Sequence, residues 1–393
     1  MAARRSLLLS LIPRRVLADG SREPPLDALA LDELDARAAE RALDALVVAM
    51  QPERGRDGWA ADFTACADLC RATRGEEAVW AGMARVRRGP KRRTHLMAAA
   101  ARGDAARVGW LLACGAPVEL RDVEGRTALI WSARSGHANV VRALLEAGAG
   151  IAQAGKDGYT AIMHASSEGH ADVVRVLIAN GANFNTAINT AMYDGWTPLI
   201  ASCSGGRIEV ARVLMIAGVD VHAATNEGLT AMYVASHEGH TEIVRELINL
   251  GAIAEVSSYM GETPLLAASF MGHTEVVRLL LSAGVDRDLR IGNVQLTPLL
   301  AAIKYGHSEI ACALIDAGAN VNAALADGST PIFVASKMGL IEVVRRLIAA
   351  GANVNTRVDG ESPMCVAIMN GHGSIVMELL ISGAVDTRGR FTL

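Results

Sequence analysis

Apolar and polar positions along this chain fall into a phrase that recurs. In TEIVRELINLGA, residues 241–252, the apolar residues Ile243, Val244, Leu247 and Ile248 stand at i, i+1, i+4 and i+5, which is one stripe along an α-helix. The phrase GHTEIVRELINLGA, from Gly239 to Ala252, returns 33 residues later as GHTEVVRLLLSAGV, from Gly272 to Val285. Thr94, Thr127, Thr160, Thr197, Thr230, Thr263, Thr297, Thr330 and Ser362 form a ladder with intervals of 33, 33, 37, 33, 33, 34, 33 and 32. Each rung opens an Ala- or Ser-rich stretch, followed nine residues on by a glycine, then by an apolar segment and a second glycine.

Each of these nine copies reads as two short helices. The hydroxyl of the Thr or Ser caps the first free amides of helix one, and the Pro or Ala behind it sits where a missing N–H costs nothing. Gly136, Gly169, Gly239, Gly272 and Gly306 supply the left-handed backbone that ends it. The second glycine, Gly251 for example, ends helix two, and the Asp-Gly or Glu-Gly pairs at 157, 194, 227, 327 and 359 supply the turn chemistry of a projecting loop. A single copy cannot bury its own apolar stripe, so neighbouring copies must stack to make a core.

A period of about 33 residues with this content is similar to the ankyrin repeat. The resemblance covers residues 94–386 and implies an all-α repeat solenoid: an ankyrin stack of helix-turn-helix units with projecting β-turn or hairpin loops. One departure is systematic. Where ankyrin repeats often read Thr-Pro-Leu-His, with the His tying helix one to adjacent backbone, this chain has Met97, Ile130, Met163, Ile200, Tyr233, Leu266, Leu300, Phe333 and Cys365. That hydrogen bond is expected to be absent throughout, with apolar packing in its place. His137, His170, His240, His273, His307 and His372 instead follow the mid-repeat glycine, and their periodicity marks them as structural.

Composition narrows the chemistry. The chain has 393 residues, 51% of them hydrophobic but only 4% aromatic, so Ala, Val, Leu and Ile do the packing. Residues 1–93 hold 17 basic and 14 acidic side chains and residues 94–393 hold 21 and 28, giving +3 and −7. A repeat region this acidic is a poor binder of phosphate backbones, so no nucleic acid is expected as partner. No apolar run approaches the roughly 18 residues of a membrane span, and no membrane partner is expected. The six cysteines are scattered, without a second pair at metal-ligand spacing, and read as reduced thiols.

Enzymatic signals are weak. His164, Cys203 and His237 lie on successive first helices, with Glu168 and Glu238 nearby, but His164 and His237 differ in helical phase and Cys203 occupies a small-residue position that points into the stack. No Gly-rich phosphate loop and no nucleophile–His arrangement stands above chance. The expectation is a monomeric, non-enzymatic protein with no cofactor and no metal.

The resemblance implies binding of other proteins through the hairpin tips and the exposed, concave side of helix one. The tip-adjacent position holds Tyr159, Trp196, Leu229, Glu262 and Leu296. The interval of 37 lengthens the loop between the third and fourth copies, a finger that carries Phe184, Met192, Tyr193 and Trp196. At the end of helix one in later copies come Phe270 and Met271, Lys304 and Tyr305, Lys337 and Met338, and Met369 and Asn370. Aromatic residues and Met concentrate at the centres of interfaces, so both groups are candidate protein-binding residues.

The segment before the repeats is read as a small helical domain over residues 26–84. Residues 26–50 have helical periodicity, and FTACADLCRATRGEEAVWAGM, residues 63–83, resembles the second half of an F-box, carried by Leu69, Cys70, Arg71 and Trp80. The Leu-Pro opening of that family is not recognisable upstream, and Ala72 and Thr73 stand where a bulky aromatic is common. A helical cap on the first repeat explains the segment equally well. If the resemblance holds, Leu69, Cys70 and Trp80 bind the small adaptor that links F-box proteins to a cullin scaffold, and the chain recruits substrates to a ubiquitin ligase. RVRRGPKRR at 85–93 reads as a basic linker or a nuclear-import motif, so the compartment expected is cytoplasmic or nuclear. Residues 1–25 form a leader whose first 18 residues resemble a transit peptide, leaving organelle targeting open, and residues 387–393 form a tail.

Overall fold

The computed structural model describes residues 93–113, 115–185, 195–252, 258, 261–290 and 295–384. The F-box-like segment with Leu69, Cys70 and Trp80, the leader, the tail and the tip residues Met192 and Tyr193 lie outside the described residues. Eighteen helices and no strand occur among them, and the chain divides into two compact units, Met1–Lys156 and Asp157–Leu393.

The first unit holds α1 (His95–Arg102), α2 (Ala105–Ala113), α3 (Ala128–Arg134) and α4 (Ala138–Glu146). The second holds seven further pairs: α5 (Ala161–Glu168) and α6 (Ala171–Ala179), α7 (Pro198–Ser204) and α8 (Ile208–Ile216), α9 (Ala231–His237) and α10 (Thr241–Asn249), α11 (Pro264–Met271) and α12 (Thr274–Ser282), α13 (Pro298–Lys304) and α14 (Ser308–Asp316), α15 (Pro331–Met338) and α16 (Ile341–Ala349), and α17 (Pro363–Met369) and α18 (Gly373–Ile381). Within each unit, first helices pack on first helices and second helices on second helices, and each first helix also packs on its own partner.

The expected helix starts hold at most rungs. The Oγ1 of Thr263 accepts from the Leu266 amide at 3.2 Å, and Thr94, Thr127, Thr197, Thr230, Thr297 and Ser362 cap in the same way. Thr160 and Thr330 do not. The Thr330 hydroxyl is turned toward that of Thr356 in the next loop, at 3.1 Å, while the Thr160 hydroxyl is buried without a hydrogen-bond partner. The helices flanking the lengthened loop keep their lengths, nine residues in α6 and seven in α7, so the insertion does not shift either packing stripe.

The core is the stripe read from sequence. Ile243, Val244 and Leu247 of α10 are buried, as are Val276, Val277 and Leu280 of α12. On helix one everything from Pro264 to Ser269 is buried, and Ala and Ser at the closest approaches let the helices pack tightly. Ser269, fully buried, returns its hydroxyl to the Leu265 carbonyl at 2.7 Å. The projecting loops are turns, two of them closed by isolated bridges between Ala224 and Thr230 and between Val358 and Glu361.

The periodic histidines are struts between neighbouring pairs. In the first unit His137 Nε2 lies 3.2 Å from the Ala101 carbonyl. In the second, His240, His273, His307 and His372 make the same contact with Ser204, His237, Phe270 and Lys337, at 3.4, 2.9, 3.0 and 3.2 Å. Each carbonyl lies in the last turn of the preceding first helix, where α-helices leave acceptors unused. Arg207 replaces the histidine on α7–α8 and donates its Nε to the Ser167 carbonyl at 3.1 Å. Leu340 replaces it on α15–α16 and offers no donor.

The expectation that the helix-one tie to backbone is absent throughout needs correction at Met97 alone, while Tyr233 and Cys365 bond other side chains instead. Tyr233, standing where the family often has His, donates its hydroxyl to Glu262 Oε2 of the next pair at 2.6 Å. Met97 Sδ accepts from the Thr94 amide at 3.4 Å, and Cys365 Sγ accepts from the Ser362 hydroxyl at 3.3 Å. A phenol or a polarisable sulfur can do what an aliphatic side chain cannot.

Candidate protein-binding surface

Most of each first helix faces inward, and the residues at its end emerge. Phe270 and Met271 at the end of α11 are 38% and 42% exposed, Tyr305 just after α13 is 47%, Met338 at the end of α15 is 47% and Met369 at the end of α17 is 71%. Lys304 and Lys337 are exposed beside them. The rings of Phe270 and Tyr305 meet with centroids 4.2 Å apart, tilted by 55°, within the range where aromatic pairs attract. The strip expected from sequence therefore exists as exposed side chains on consecutive pairs, and its backbone is tied down by His307 and His372 at the Phe270 and Lys337 carbonyls.

The finger residues are placed differently. Tyr159 is half-buried, its ring centroid 5.0 Å from that of His164 on the helix it precedes. Phe184 is half-buried in the turn after α6, next to Asn185, whose Oδ1 accepts from the Asp220 amide at 3.0 Å. Trp196 is half-buried and lines a groove of about 540 Å³ with Leu229, Tyr233, His237, Glu238 and Glu262. Tyr159 is not among the residues lining it.

This groove was not legible in the sequence as a site, although Trp196, Leu229 and Glu262 are successive tip-adjacent residues. The buried Tyr233 ring carries the hydroxyl bond to Glu262, and burial, then that bond, raises its pKa well above the usual phenol value. His237 stacks on Tyr233 with centroids 6.2 Å apart at 23°, and its Nδ1 lies 3.0 Å from Glu238 Oε1.

The residues weighed as a metal site are dispersed. Cys203 is fully buried and desolvation pushes its thiol up to about 12, so it is a protonated packing residue. His164 lies beside Tyr159, its Nε2 3.8 Å from Asp157 Oδ2, and His237 is on Glu238. Among the described residues no three His, Cys, Asp or Glu side chains are grouped to hold a metal ion.

Second helices carry charges that pair between neighbours, and they also expose Ile216, Met377 and Ile381. Arg212 reaches Glu246 at 3.1 Å, Arg278 reaches Glu309 at 2.5 Å, Arg345 reaches Glu378 at 2.8 Å and Arg346 reaches Asp316 at 2.7 Å, each from one pair to a neighbour. Exposed pairs of this kind contribute little stability individually, but they leave these charges already matched. In the first unit Arg93, the last residue of the basic stretch, lies with its guanidinium carbon 3.4 Å from the Trp131 ring centroid. The Trp131 indole donates to the buried Asp122 at 3.0 Å. Nothing in the sequence reading marked Trp131.

A profile of the family described as Ankyrin repeats (3 copies) matches residues 96–188, 149–225, 183–258, 213–291, 253–325 and 299–390. The chain belongs to the ankyrin-repeat family. Among solved structures it is similar to the human ASB11 ankyrin repeat domain, at 28% sequence identity and a TM-score of 0.52 over 57% of this chain and 98% of that one. No curated protein sequence matches it. Ankyrin repeats mediate protein–protein interaction in general, and among the described residues of this ankyrin-repeat protein no helix is long and apolar enough to cross a membrane.

Proposed function

We propose that this chain is a non-enzymatic scaffold of nine ankyrin repeats that holds a partner protein on the ends of its first helices, along Phe270, Met271, Tyr305 and Met338, with Lys304 and Lys337 at the rim. The observation that carries this is the run of large apolar side chains exposed at the end of helix one on consecutive pairs. Scattered exposed apolar residues need no explanation, but an aligned strip rimmed by charge is what an interface centre looks like. Trp196, Phe184, Tyr159 and Tyr193 are a second group of contacts on the loop side.

The test is affinity purification of the full chain, followed by reconstitution with the purified partner. Phe270→Ala with Tyr305→Ala should weaken that complex by about 2 kcal/mol or more and lower the melting temperature only slightly. Intact affinity would remove the strip from the interface. A second reading, a substrate-recruiting subunit of a cullin-type ubiquitin ligase, rests on the resemblance carried by Leu69, Cys70 and Trp80. Recovery of the F-box adaptor in the same purification would favour it.

A further inference from the structure

The groove lined by α7, α9 and residues preceding α7, α9 and α11 has walls and charges that select a ligand chemistry. We propose that it seats an arginine side chain of the partner protein, an inference that rests on the reading of this chain as a protein-binding scaffold. Its apolar walls are the Trp196 and Tyr233 rings, with Leu229 and Val234. Among the described residues, three carboxylates, Glu227, Glu238 and Glu262, line the same space, and no Lys or Arg does. At about 540 Å³ it falls in the size range of ligand pockets.

The carboxylates contrast with four on the second helices of the second unit. Glu246, Glu309, Glu378 and Asp316 each meet an arginine of a neighbouring pair. Inside the groove the contacts come from a phenol and an imidazole rather than from an arginine. The Tyr233 hydroxyl takes Oε2 of Glu262, leaving Oε1 as an acceptor, and His237 Nδ1 faces Oε1 of Glu238, leaving Oε2. Glu227 stands exposed at the rim.

Aromatic faces beside concentrated negative charge attract cations, because the ring quadrupole and the carboxylates act in the same direction. A planar guanidinium fits better than an ammonium. It can lie against the Trp196 ring while its fixed fork of donors points to the carboxylates lining the same groove, whereas lysine presents a compact, strongly hydrated point charge. Glu238 and Glu262 come from consecutive pairs and line the same groove.

The experiment follows the Trp196 indole N–H by NMR in the full chain while a blocked pentapeptide, acetyl-Gly-Ala-Arg-Ala-Gly-amide, is titrated in. The comparison peptide carries citrulline, which keeps the shape and loses the charge. The arginine peptide should shift the signal saturably and bind about tenfold more tightly than the citrulline peptide. Glu262→Gln, which keeps an acceptor for the Tyr233 hydroxyl, should remove the preference. Glu309→Gln, which changes a carboxylate paired with Arg278 outside the groove, should leave it. The absence of saturable binding, equal affinity of the two peptides, or a preference that survives Glu262→Gln would each overturn the proposal. Phe270→Ala with Tyr305→Ala should bind the arginine peptide as the parent does. If that variant loses the partner while the groove ignores arginine, the groove proposal alone fails; if the groove takes arginine while the partner still binds, the strip alone fails.

Discussion

Gly239 and His273 are built around each other. A Cβ at Gly239 would stand 2.5 Å from His273 Nδ1, and the glycine already has a φ of +79°, in the left-handed region. The imidazole lies there because its Nε2 reaches the His237 carbonyl at 2.9 Å. Glycine in one pair and histidine in the next are therefore a single device. Gly306 shows the converse: where Leu340 replaces the histidine, a Cβ would meet nothing within 4 Å.

This coupling is measurable by a double-mutant cycle. Gly239→Ala should cost about 2 kcal/mol in the parent protein, from left-handed strain and the clash with the ring. In a His273→Ala background, which itself loses a hydrogen bond worth about 1 kcal/mol, the same change should cost only about 1 kcal/mol. Strictly additive costs in urea unfolding would show that the ring does not restrict the glycine.

Two rungs of the Thr ladder should behave oppositely. Thr263→Ala removes the cap on the Leu266 amide and should cost about 1 kcal/mol. Thr160→Ala removes a buried hydroxyl that makes no hydrogen bond, so stability should stay within about 0.5 kcal/mol of the parent. Equal losses at both positions would mean that Thr160 also caps its helix in solution.

Tyr233→Phe should destabilise the protein by about 1 kcal/mol, since it deletes a bond to a carboxylate that water can then reach. The effect should also depend on alkaline pH. Burial and Glu262 raise the phenol pKa, so above about pH 10, where an unperturbed tyrosine loses its proton, the unfolded chain releases a proton that the folded chain keeps. Fewer protons bound when unfolded means that stability falls as pH rises. Denaturation midpoints measured from pH 9 upward should therefore fall more steeply in the parent than in Tyr233→Phe, and parallel curves would contradict the buried, bonded phenol.

The sequence by itself determined what is local or periodic. Seven of the nine helix-one caps, the glycines that end those helices and the inward stripe of helix two all follow from residue types at fixed offsets. Each element is short, and its ends are set by its own few residues. The exposed strip was legible for the same reason: two positions past the buried turns of helix one, a side chain must emerge. Tertiary structure decided which emergent or half-buried side chains meet. Tyr233 reaches Glu262 across 29 residues of chain, and Phe270 meets Tyr305 although an interval of 34 separates their rungs. The groove takes Trp196, Tyr233 and Glu262 from three successive pairs. A repeat pattern gives each residue its height along a helix and its face, but contact between pairs also depends on how one pair is rotated on the next and which rotamer fills the gap. Those are settled only when the pairs pack together.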